Sequence, residues 1–457
     1  TALDGTGQVA GRSDYYLNGH YQGYHAFLWN AGTLYDLNNY APAGWTFQQA
    51  SAINDYGQVA GYGTHNGSTE AFLFTPQPDW QGGNGYWSDA SRWNYGGMGA
   101  FGFTPGLPHD VVINPAGSAM VYGPTDATVH SLSVSGSGGN LVTLSLNGGG
   151  IATTAGTTLG SNGTLTGSGR LTGNLAIQAG GRAYVGSGQS MQLAGAVTNA
   201  GRIDAQPATG GRSGLEIGAT LTNASGGEVN LMNADLFVHG GTVNGGRISI
   251  AGFTQVSGSV DNQAGGQVNV SGTSAQAIFW DNFRNNGSVN VTTGSTATFF
   301  GLVTGAGSFL GGGAKELAGG YSPGNSPAQV TLDGSVSFTA GTLTMELGGT
   351  TPGSGHDKLV FLGSVALNGA GLSVEYWNGW TAGAGQTYDL FDWNSGAPQG
   401  SFSQVLLPTL AAGLVWDTSH LYTSGDISVA AVPEPETYAT LLAGLGILAA
   451  VARRRQG

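Results

Sequence analysis

The chain has 457 residues, of which only 9% are charged, and its 13 basic against 26 acidic residues give a net charge of -13. Such a surface repels phosphate backbones, which excludes nucleic acids as expected partners. Cysteine is absent, so disulfides, thiolate metal clusters and thiol nucleophiles are excluded as well. The 84 glycines, together with 40% hydrophobic and 10% aromatic residues, indicate a folded, turn-rich β protein rather than a disordered chain.

Residues 1–78 contain a two-fold repeat. The string LDGTGQVAG from Leu3 is matched by INDYGQVAG from Ile53, and HAFLW from His25 is matched by EAFLF from Glu70. Each unit has two short apolar strands around turn residues. These strings resemble the HAF family of extracellular repeats, so we expect partial blade-like β units here. Such units need several copies for stability, so further copies are expected upstream. The first residue is Thr and no apolar leader precedes it, so a signal peptide is expected either to have been removed already or to lie outside the sequence given.

Residues 79–128 are rich in Gly and Trp and are expected to form a linker and the N-terminal cap of a new domain. Trp80, Trp87 and Trp93 lie in this segment. They can cover the apolar end of the first repeat, which we favour, or form a platform on which sugar rings stack. The same alternatives apply to three later tryptophans, Trp377, Trp380 and Trp393.

Residues 129–320 consist of short alternating strands separated by Gly/Asn turns. Five turns echo one another (VTNAGRID, LTNASGGEVN, VNGGRISI, VDNQAGGQVNV and FRNNGSVNV), with their asparagines 24, 21, 18 and 23 residues apart. This spacing is typical of a parallel β-helix with about 20 residues per coil. We expect these asparagines to adopt the left-handed corner conformation and their amides to hydrogen-bond along the stack. They are Asn199, Asn223, Asn244, Asn262 and Asn285.

Residues 321–431 have longer strands and are expected to cap the stack. The strings SPGNSP, MELGG, HDKL and GSFSQVLLP resemble the region that closes the β-helix in autotransporter-type passengers. The predicted fold class is therefore all-β. We expect a right-handed parallel β-helix (solenoid) with a β cap, preceded by partial blade-like β repeats and followed by one C-terminal hydrophobic helix.

The last segment, residues 432–457, ends in PEPETYATLLAGLGILAAVARRRQG. Pro433, Glu434 and Pro435 predict a non-helical hinge. The uncharged run from Tyr438 to Ala452 predicts a helix of about 22 Å, shorter than a bilayer core of about 30 Å. Positive residues stay on the cytoplasmic side of a membrane and their long stems reach the interface. The cluster expected to stay on the cytoplasmic side is Arg453, Arg454 and Arg455.

This tail resembles the PEP-CTERM sorting signal: a Pro-Glu-Pro motif, an apolar helix and a terminal Arg cluster, in that order. The resemblance implies an exported protein of a Gram-negative bacterium, held transiently in the inner membrane. An exosortase-type enzyme would then cut near Pro433, Glu434 and Pro435, and the product would reach the cell surface or extracellular matrix. A permanent tail anchor is the alternative.

Catalytic motifs are absent from the sequence, and the eight histidines are scattered, so we expect no enzyme activity, cofactor or metal. A polysaccharide-cleaving β-helix needs converging carboxylates or a carboxylate with a basic residue. The candidates are Glu216, Glu228 and Asp235, or Asp281 with Arg284, and solvated outward positions explain them more simply. The triplet at residues 356–358 is assigned to the cap. The sequence therefore favours a structural or adhesive surface protein associated with extracellular polysaccharide in a biofilm. The alternatives are a polysaccharide-degrading enzyme and a carbohydrate-binding surface protein.

Overall fold

In the computed structural model the chain is almost entirely β and forms two compact units, Thr1–Val260 and Asp261–Gly457. The structure describes residues 1–206, 210–324, 326–432 and 435–454, with the backbone alone for 435–439 and 454. The predicted all-β class, built on a parallel β-solenoid and ending in one C-terminal helix, is confirmed for these residues.

Two antiparallel sheets open the first unit. The buried faces of the two sheets meet through Ala10, Leu28 and Ala50, each fully buried. On the other face, the His25 imidazole Nδ1 lies 2.6 Å from Asp36 Oδ2, and its ring stacks on Tyr15. The two sheets have four and three strands, more than the two strands per unit expected from the sequence, and the HAF resemblance itself stays a prediction. The elements are β1 (Ala2–Leu3), β2 (Val9–Leu17), β3 (His20–Asn30), β4 (Thr33–Asp36), a 3-10 helix (Leu37–Tyr40), β5 (Trp45–Ile53), β6 (Val59–His65) and β7 (Ser68–Phe74).

The Trp-rich segment closes the start of the stack. Trp80 and Trp87 both contact Trp93 edge to face, with ring centroids 5.0 Å and 4.8 Å apart, and all three are at most 3% exposed. Parallel pairing already begins at Pro78–Trp80 and Gly85–Tyr86, well before the predicted boundary at residue 129. The elements are β8 (Pro78–Trp80), β9 (Gly85–Tyr86), a 3-10 helix (Ala90–Arg92), β10 (Trp93–Tyr95), β11 (Asp110–Ile113) and β12 (Ala119–Tyr122).

The rest of the first unit is a stack of coils with short parallel strands. Inward apolar and outward polar side chains alternate along each strand, as the sequence pattern predicts. The strands are β13 (Ala127–Val134), β14 (Val142–Ser145), β15 (Gly150–Leu159), β16 (Gly163–Thr166), β17 (Gly169–Thr172), β18 (Leu175–Ile177), β19 (Arg182–Val185), β20 (Ser190–Leu193), β21 (Val197–Asn199), β22 (Arg202–Ala205), β23 (Ser213–Ile217), β24 (Leu221–Asn223), β25 (Glu228–Met232), β26 (Ala234–Val238), β27 (Thr242–Asn244), β28 (Arg247–Ala251) and β29 (Phe253–Ser257).

Each coil of this unit contributes one strand to each of three faces. Face A consists of β17, β20, β23, β26 and β29, face B of β18, β21, β24 and β27, and face C of β14, β16, β19, β22, β25 and β28. The long strand β15 serves two faces, because its first half pairs with β17 and its second half with β18. Outward side chains at one register position therefore form columns that run along the stack.

The repeated asparagines lie inside the stack. Asn199, Asn223 and Asn244 end three successive face B strands, where all three are at most 1% exposed. Each side-chain amide donates to the next, with Nδ2–Oδ1 distances of 2.8 Å from Asn199 to Asn223 and from Asn223 to Asn244. The predicted amide ladder is present, but the predicted left-handed corner conformation is wrong, because these residues belong to extended strands.

The second unit repeats this arrangement with a more aromatic interior. Phe279 stacks on Phe299 at 5.0 Å, and Asn262 donates to Asn285 at 2.8 Å. The boundary between the units falls within β30 (Val260–Asn262). The further strands are β31 (Gln267–Val270), β32 (Gln276–Phe279), β33 (Phe283–Asn285), β34 (Ser288–Val291), β35 (Thr296–Phe299), β36 (Val303–Gly305), β37 (Ser308–Leu310), β38 (Ala314–Leu317), β39 (Tyr321–Pro323), β40 (Gln329–Leu332), β41 (Val336–Phe338), β42 (Thr342–Leu347), β43 (Lys358–Phe361), β44 (Val365–Asn368) and β45 (Gly371–Tyr376).

Parallel pairing continues beyond the predicted boundary at residue 320, as far as the strands at Gln399–Ser401 and Gln404–Leu406. The alternation of inward and outward residues persists through β45, whereas those last two strands are largely exposed. Three later strands, Thr387–Asp389, Leu414–Asp417 and Asp426–Ala431, form an antiparallel sheet. A helix follows the last of them. The elements are β46 (Thr387–Asp389), β47 (Phe391–Trp393), β48 (Gln399–Ser401), β49 (Gln404–Leu406), β50 (Leu414–Asp417), β51 (Asp426–Ala431) and α1 (Pro435–Arg454).

Candidate functional site

A column of charged and polar side chains runs along face A of the first unit. Arg170, Gln192 and Glu216 are register partners on successive strands. Asp126 is level with them, two strands before Arg170. Arg170 lines two shallow clefts, one of about 190 Å³ beside Asp126 and one of about 200 Å³ beside Glu216. Neighbouring strands are about 4.8 Å apart. The backbone positions of Asp126 and Glu216, which are four strands apart, are therefore separated by about 19 Å.

Of the three carboxylates proposed from the sequence, only Glu216 and Asp235 share a face, where they lie on neighbouring strands two register positions apart. Glu216 and Asp235 lie on face A, and Glu228 lies on face C. The hydrogen bond from the Arg212 guanidinium holds the pKa of Asp235 below its ordinary value. Each carboxylate contacts its own basic side chain: Glu216 the His239 imidazole at 2.9 Å, Glu228 the Arg247 guanidinium at 2.9 Å and Asp235 the Arg212 guanidinium at 2.9 Å.

The second proposed pair, Asp281 and Arg284, lies in the second unit. Asp281 is exposed in the turn before β33, and Arg284 is an outward residue of that strand. The Arg284 guanidinium Nη1 lies 3.9 Å from Asp261 Oδ1. In the part of the chain that the structure describes, no three His, Asp or Glu side chains are grouped so that they could hold a metal ion.

The tryptophans do not form an exposed platform. Trp80, Trp87 and Trp93 pack against one another in the core, which agrees with the capping role favoured from the sequence. Among the later three, Trp393 is 8% exposed and Trp377 is 37% exposed. Trp380 is half-buried, and its indole N–H donates to the Tyr388 hydroxyl. A sugar ring needs an open aromatic face, so the first cluster cannot serve as its platform.

The His-Asp-Lys triplet joins several segments of the second unit. The Asp357 carboxylate is buried and accepts hydrogen bonds from the backbone N–H of Ala328 at 2.7 Å and of Glu346 at 2.8 Å. Burial raises the pKa of Asp357 to about 7, although those two hydrogen bonds favour the carboxylate form. Lys358 Nζ lies 2.5 Å from an oxygen of Asp389. These bonds give the triplet a structural role.

A second buried ionisable group is Lys315, which points into the stack. Its ammonium donates to the backbone carbonyls of Gly311, Gly313 and Asp333. Burial lowers the pKa of Lys315 to about 8. The three carbonyl oxygens favour the charged form, so the side chain is an ammonium at neutral pH.

The largest of the three clefts described for the first unit is a groove at the start of face B, with a volume of about 460 Å³. It forms where the register between β13 and β15 shifts, between Val129 and Ser131, and where Gly156 has a φ of 102°. The groove contains no charged side chain. Its lining consists of hydroxyl, amide and small apolar residues: Ser131, Leu132, Ser133, Ala155, Gly156, Thr157, Thr158, Asn174, Leu175, Ala176, Gln178, Ala196 and Thr198.

The C-terminal helix exposes the side chains that the structure describes, those from Thr440 to Arg453. It follows β51, begins at Pro435 and continues to Arg454. The proline suits the first helical position, since its missing N–H would have no partner there. From Thr440 to Arg453 every side chain is exposed apart from the half-buried Gly444, including leucines that are 56% to 69% exposed. An apolar helix in this situation exposes surface that favours a nonpolar environment.

The sequence of this segment was compared with known protein families. Residues 431–456 match the family description of the PEP-CTERM protein-sorting motif. The chain carries a PEP-CTERM sorting motif. It is therefore an exported protein sorted by an exosortase-type enzyme. Comparison with curated proteins and with solved structures finds no significant match.

The PEP-CTERM motif lies partly outside the described residues. Pro433, Glu434 and Arg455 are not described, whereas Pro435 begins the helix and Arg453 is exposed near its end. The helix is longer than the predicted run from Tyr438 to Ala452, which lies within it. Of the helices in the described ranges, none combines the length and the hydropathy that crossing a bilayer requires. Transient membrane anchoring therefore stays a prediction.

The sequence analysis missed the polar groove. Its hydroxyl groups come from Ser and Thr at alternate strand positions, which read as ordinary outward residues. A groove arises only where the strand register shifts, and one sequence does not reveal that shift. The small residues Ala155, Gly156 and Ala176 are the one local signal, because they remove side-chain bulk from neighbouring strands.

Proposed function

We propose that this exported protein is a structural and adhesive component of the cell surface or extracellular matrix. The observation that carries the proposal is the PEP-CTERM motif at residues 431–456, placed directly after the last strand of the folded chain. In this proposal the apolar helix is held transiently in the inner membrane with its arginines inside. Cleavage near Pro433, Glu434 and Pro435 then releases the β-solenoid into the extracellular polysaccharide of a Gram-negative biofilm.

The surface of the solenoid supports a non-enzymatic role. The strands expose Thr, Ser, Asn and Gln side chains over long faces, and only 9% of all residues are charged. Such a surface exchanges hydrogen bonds with water and hydroxyl-rich polymers. Glycoside cleavage needs two carboxyl groups about 5 to 10 Å apart across the scissile bond. Among the candidates, Glu228 lies on a different face from Glu216 and Asp235, and each of the three contacts a separate basic side chain.

Intact-mass measurement of the protein released by a Gram-negative host that contains an exosortase tests the sorting step. The native chain is expected to lose the segment that follows the motif. A variant with Ala in place of Pro433, Glu434 and Pro435 is expected to stay uncleaved in the membrane fraction. A matched control replaces Pro398 by Ala in the loop before β48 and should be cleaved like the native chain.

Two outcomes of this experiment would contradict the proposal. An uncleaved native chain that stays in the membrane would establish a permanent tail anchor. Release of reducing sugar ends from host polysaccharide by the purified native chain, lost in the Glu216→Gln variant, would establish an enzyme.

A further inference from the structure

We propose that the groove at the start of face B binds a segment of a neutral polysaccharide chain laid along the solenoid axis. This inference rests on the proposed function, since it names the partner class and the site for an extracellular matrix protein. A volume of about 460 Å³ lies within the range of about 300 to 1,000 Å³ that is usual for ligand sites.

The groove offers hydroxyl groups in a regular column. Ser133, Thr158 and Thr198 occupy one register position on β13, β15 and β21, with Ala176 of β18 between the last two. Neighbouring strands are about 4.8 Å apart, a repeat similar to the length of one sugar unit in an extended chain. Among the described residues, the side-chain hydroxyls of these three have no protein hydrogen-bond partner. They can therefore exchange bound water for sugar hydroxyls.

Small residues in the groove allow the polysaccharide to approach the strands. Ala155, Gly156 and Ala176 form the floor between the hydroxyl groups. Gly156 has a φ of 102°, and a Cβ there would lie 3.2 Å from the carbonyl oxygen of Asn174. A larger residue would therefore both strain the backbone and fill the groove. The Asn174 and Gln178 side chains also line the groove. The Asn174 oxygen accepts a bond from the Ala196 N–H, which leaves its NH₂ group as a donor, and the Gln178 amide carries both a donor and an acceptor.

Charge decides between a neutral and an acidic sugar chain. No residue that lines the groove is charged, and the whole chain has a net charge of -13. A polyanion would therefore gain no ion pair in the groove and would be repelled at longer range. The groove also has no aromatic ring for stacking, so each contact is weak. Useful affinity then comes from one polymer bound at several positions or by several protein molecules.

Affinity electrophoresis of the purified full chain tests this site. The gels contain dextran, galactomannan, hydroxyethylcellulose or a β-1,3-glucan as neutral probes, and alginate as the acidic probe. Retardation by at least one neutral probe is expected, and none by alginate. Ala176 is exposed in the groove, so Ala176→Glu places a longer, charged side chain where the sugar chain would lie and should weaken binding by about tenfold or more.

Thr198→Glu is a second blocking variant, in case Ala176→Glu does not fold. Thr164→Glu on face C is the matched control, since it adds the same charge to an outward strand position away from the groove. Thermal unfolding verifies that each variant is folded. Absence of retardation by every neutral probe, retardation by alginate alone, or equal binding by the folded blocking and control variants would overturn the proposal. None of these results affects the cleavage experiment, so the two proposals fail separately.

Discussion

The side-chain amide of Asn199 donates a hydrogen bond to the amide oxygen of Asn223, 24 residues later, at 2.8 Å. Asn223 in turn donates to Asn244 at 2.8 Å, and all three side chains are buried. Each amide satisfies the polar group of its neighbour, which makes a polar residue tolerable in an apolar stack. The ladder also joins residues of successive coils that are far apart in the sequence.

Asn223→Ala is expected to lower the free energy of unfolding by about 2 to 4 kcal/mol, because it leaves polar atoms of Asn199 and Asn244 buried with fewer partners. Urea unfolding followed by circular dichroism measures this change. The neighbouring outward variant Thr222→Ala should change the same quantity by less than about 0.5 kcal/mol. Equal effects of the two variants would show that the ladder does not stabilise the stack.

Trp93→Ala is expected to lower the free energy of unfolding by about 3 to 5 kcal/mol, since a fully buried indole leaves a large cavity. The substitution also deprives the Trp87 carbonyl of the hydrogen bond that the Trp93 indole N–H donates to it at 2.9 Å. Leu141→Ala is the control, because Leu141 is 63% exposed and packs little. A Trp93→Ala protein that kept native stability would contradict the capping role.

The buried carboxyl of Asp357 predicts a pH dependence of stability. Its pKa is raised by burial from 3.8 in the unfolded chain to about 7 in the folded chain. The folded state therefore binds more protons between about pH 4 and pH 7, and its contribution to the unfolding free energy decreases as the pH rises.

Asp357→Asn should remove this decrease, and Asp14→Asn in the exposed first hairpin should leave it unchanged. The measurement is urea unfolding at several values between pH 4 and pH 8. An identical pH slope in the native chain and the Asp357→Asn variant would show that Asp357 does not titrate in this range.

Lys315 predicts the opposite slope at high pH. Burial lowers its pKa from 10.5 to about 8, so the unfolded chain binds more protons between about pH 8 and pH 10.5. The contribution of Lys315 to the free energy of unfolding should therefore increase as the pH rises from about 8 to 10.5. Lys315→Met should abolish it.

The control for this experiment is the other lysine of the chain. Burial lowers the pKa of Lys358, but hydrogen bonds to Asp389 and Asp392 outweigh burial and raise it overall. Lys358→Met should therefore keep the rise between pH 8 and pH 10.5. If the rise were lost in Lys358→Met and retained in Lys315→Met, Lys358 would be the titrating residue and the prediction for Lys315 would be wrong.

The coil period could be predicted from the sequence because it rests on local chemistry. Val197 and Asn199, or Leu221 and Asn223, are two residues apart, so both members of a pair face the same side of a strand. That period places the asparagines inside the stack. The frequency of Asn and Gly in turns led to the prediction that these residues form turns. The period of two, which places them in strands, was the better guide.

The ends of the stack and the groove could not be predicted in the same way. The parallel pairing that precedes residue 129 and continues past residue 320 depends on contacts between distant segments. The face B groove depends on a shift in register near Ser131, which is a property of two paired strands. The sorting motif needed no three-dimensional information, because an enzyme reads it as a short linear segment at residues 431–456.

The edge-to-face packing of Trp93 against Trp80 and Trp87 has a spectroscopic consequence. Ring centroids 5.0 Å and 4.8 Å apart, at interplanar angles of 77° and 65°, allow the excited states of the indoles to couple. Coupled indoles give a pair of circular dichroism bands of opposite sign, which disappears when the rings separate. The first unit thus contains an intrinsic optical reporter of the start of its stack, and it reports without any attached label.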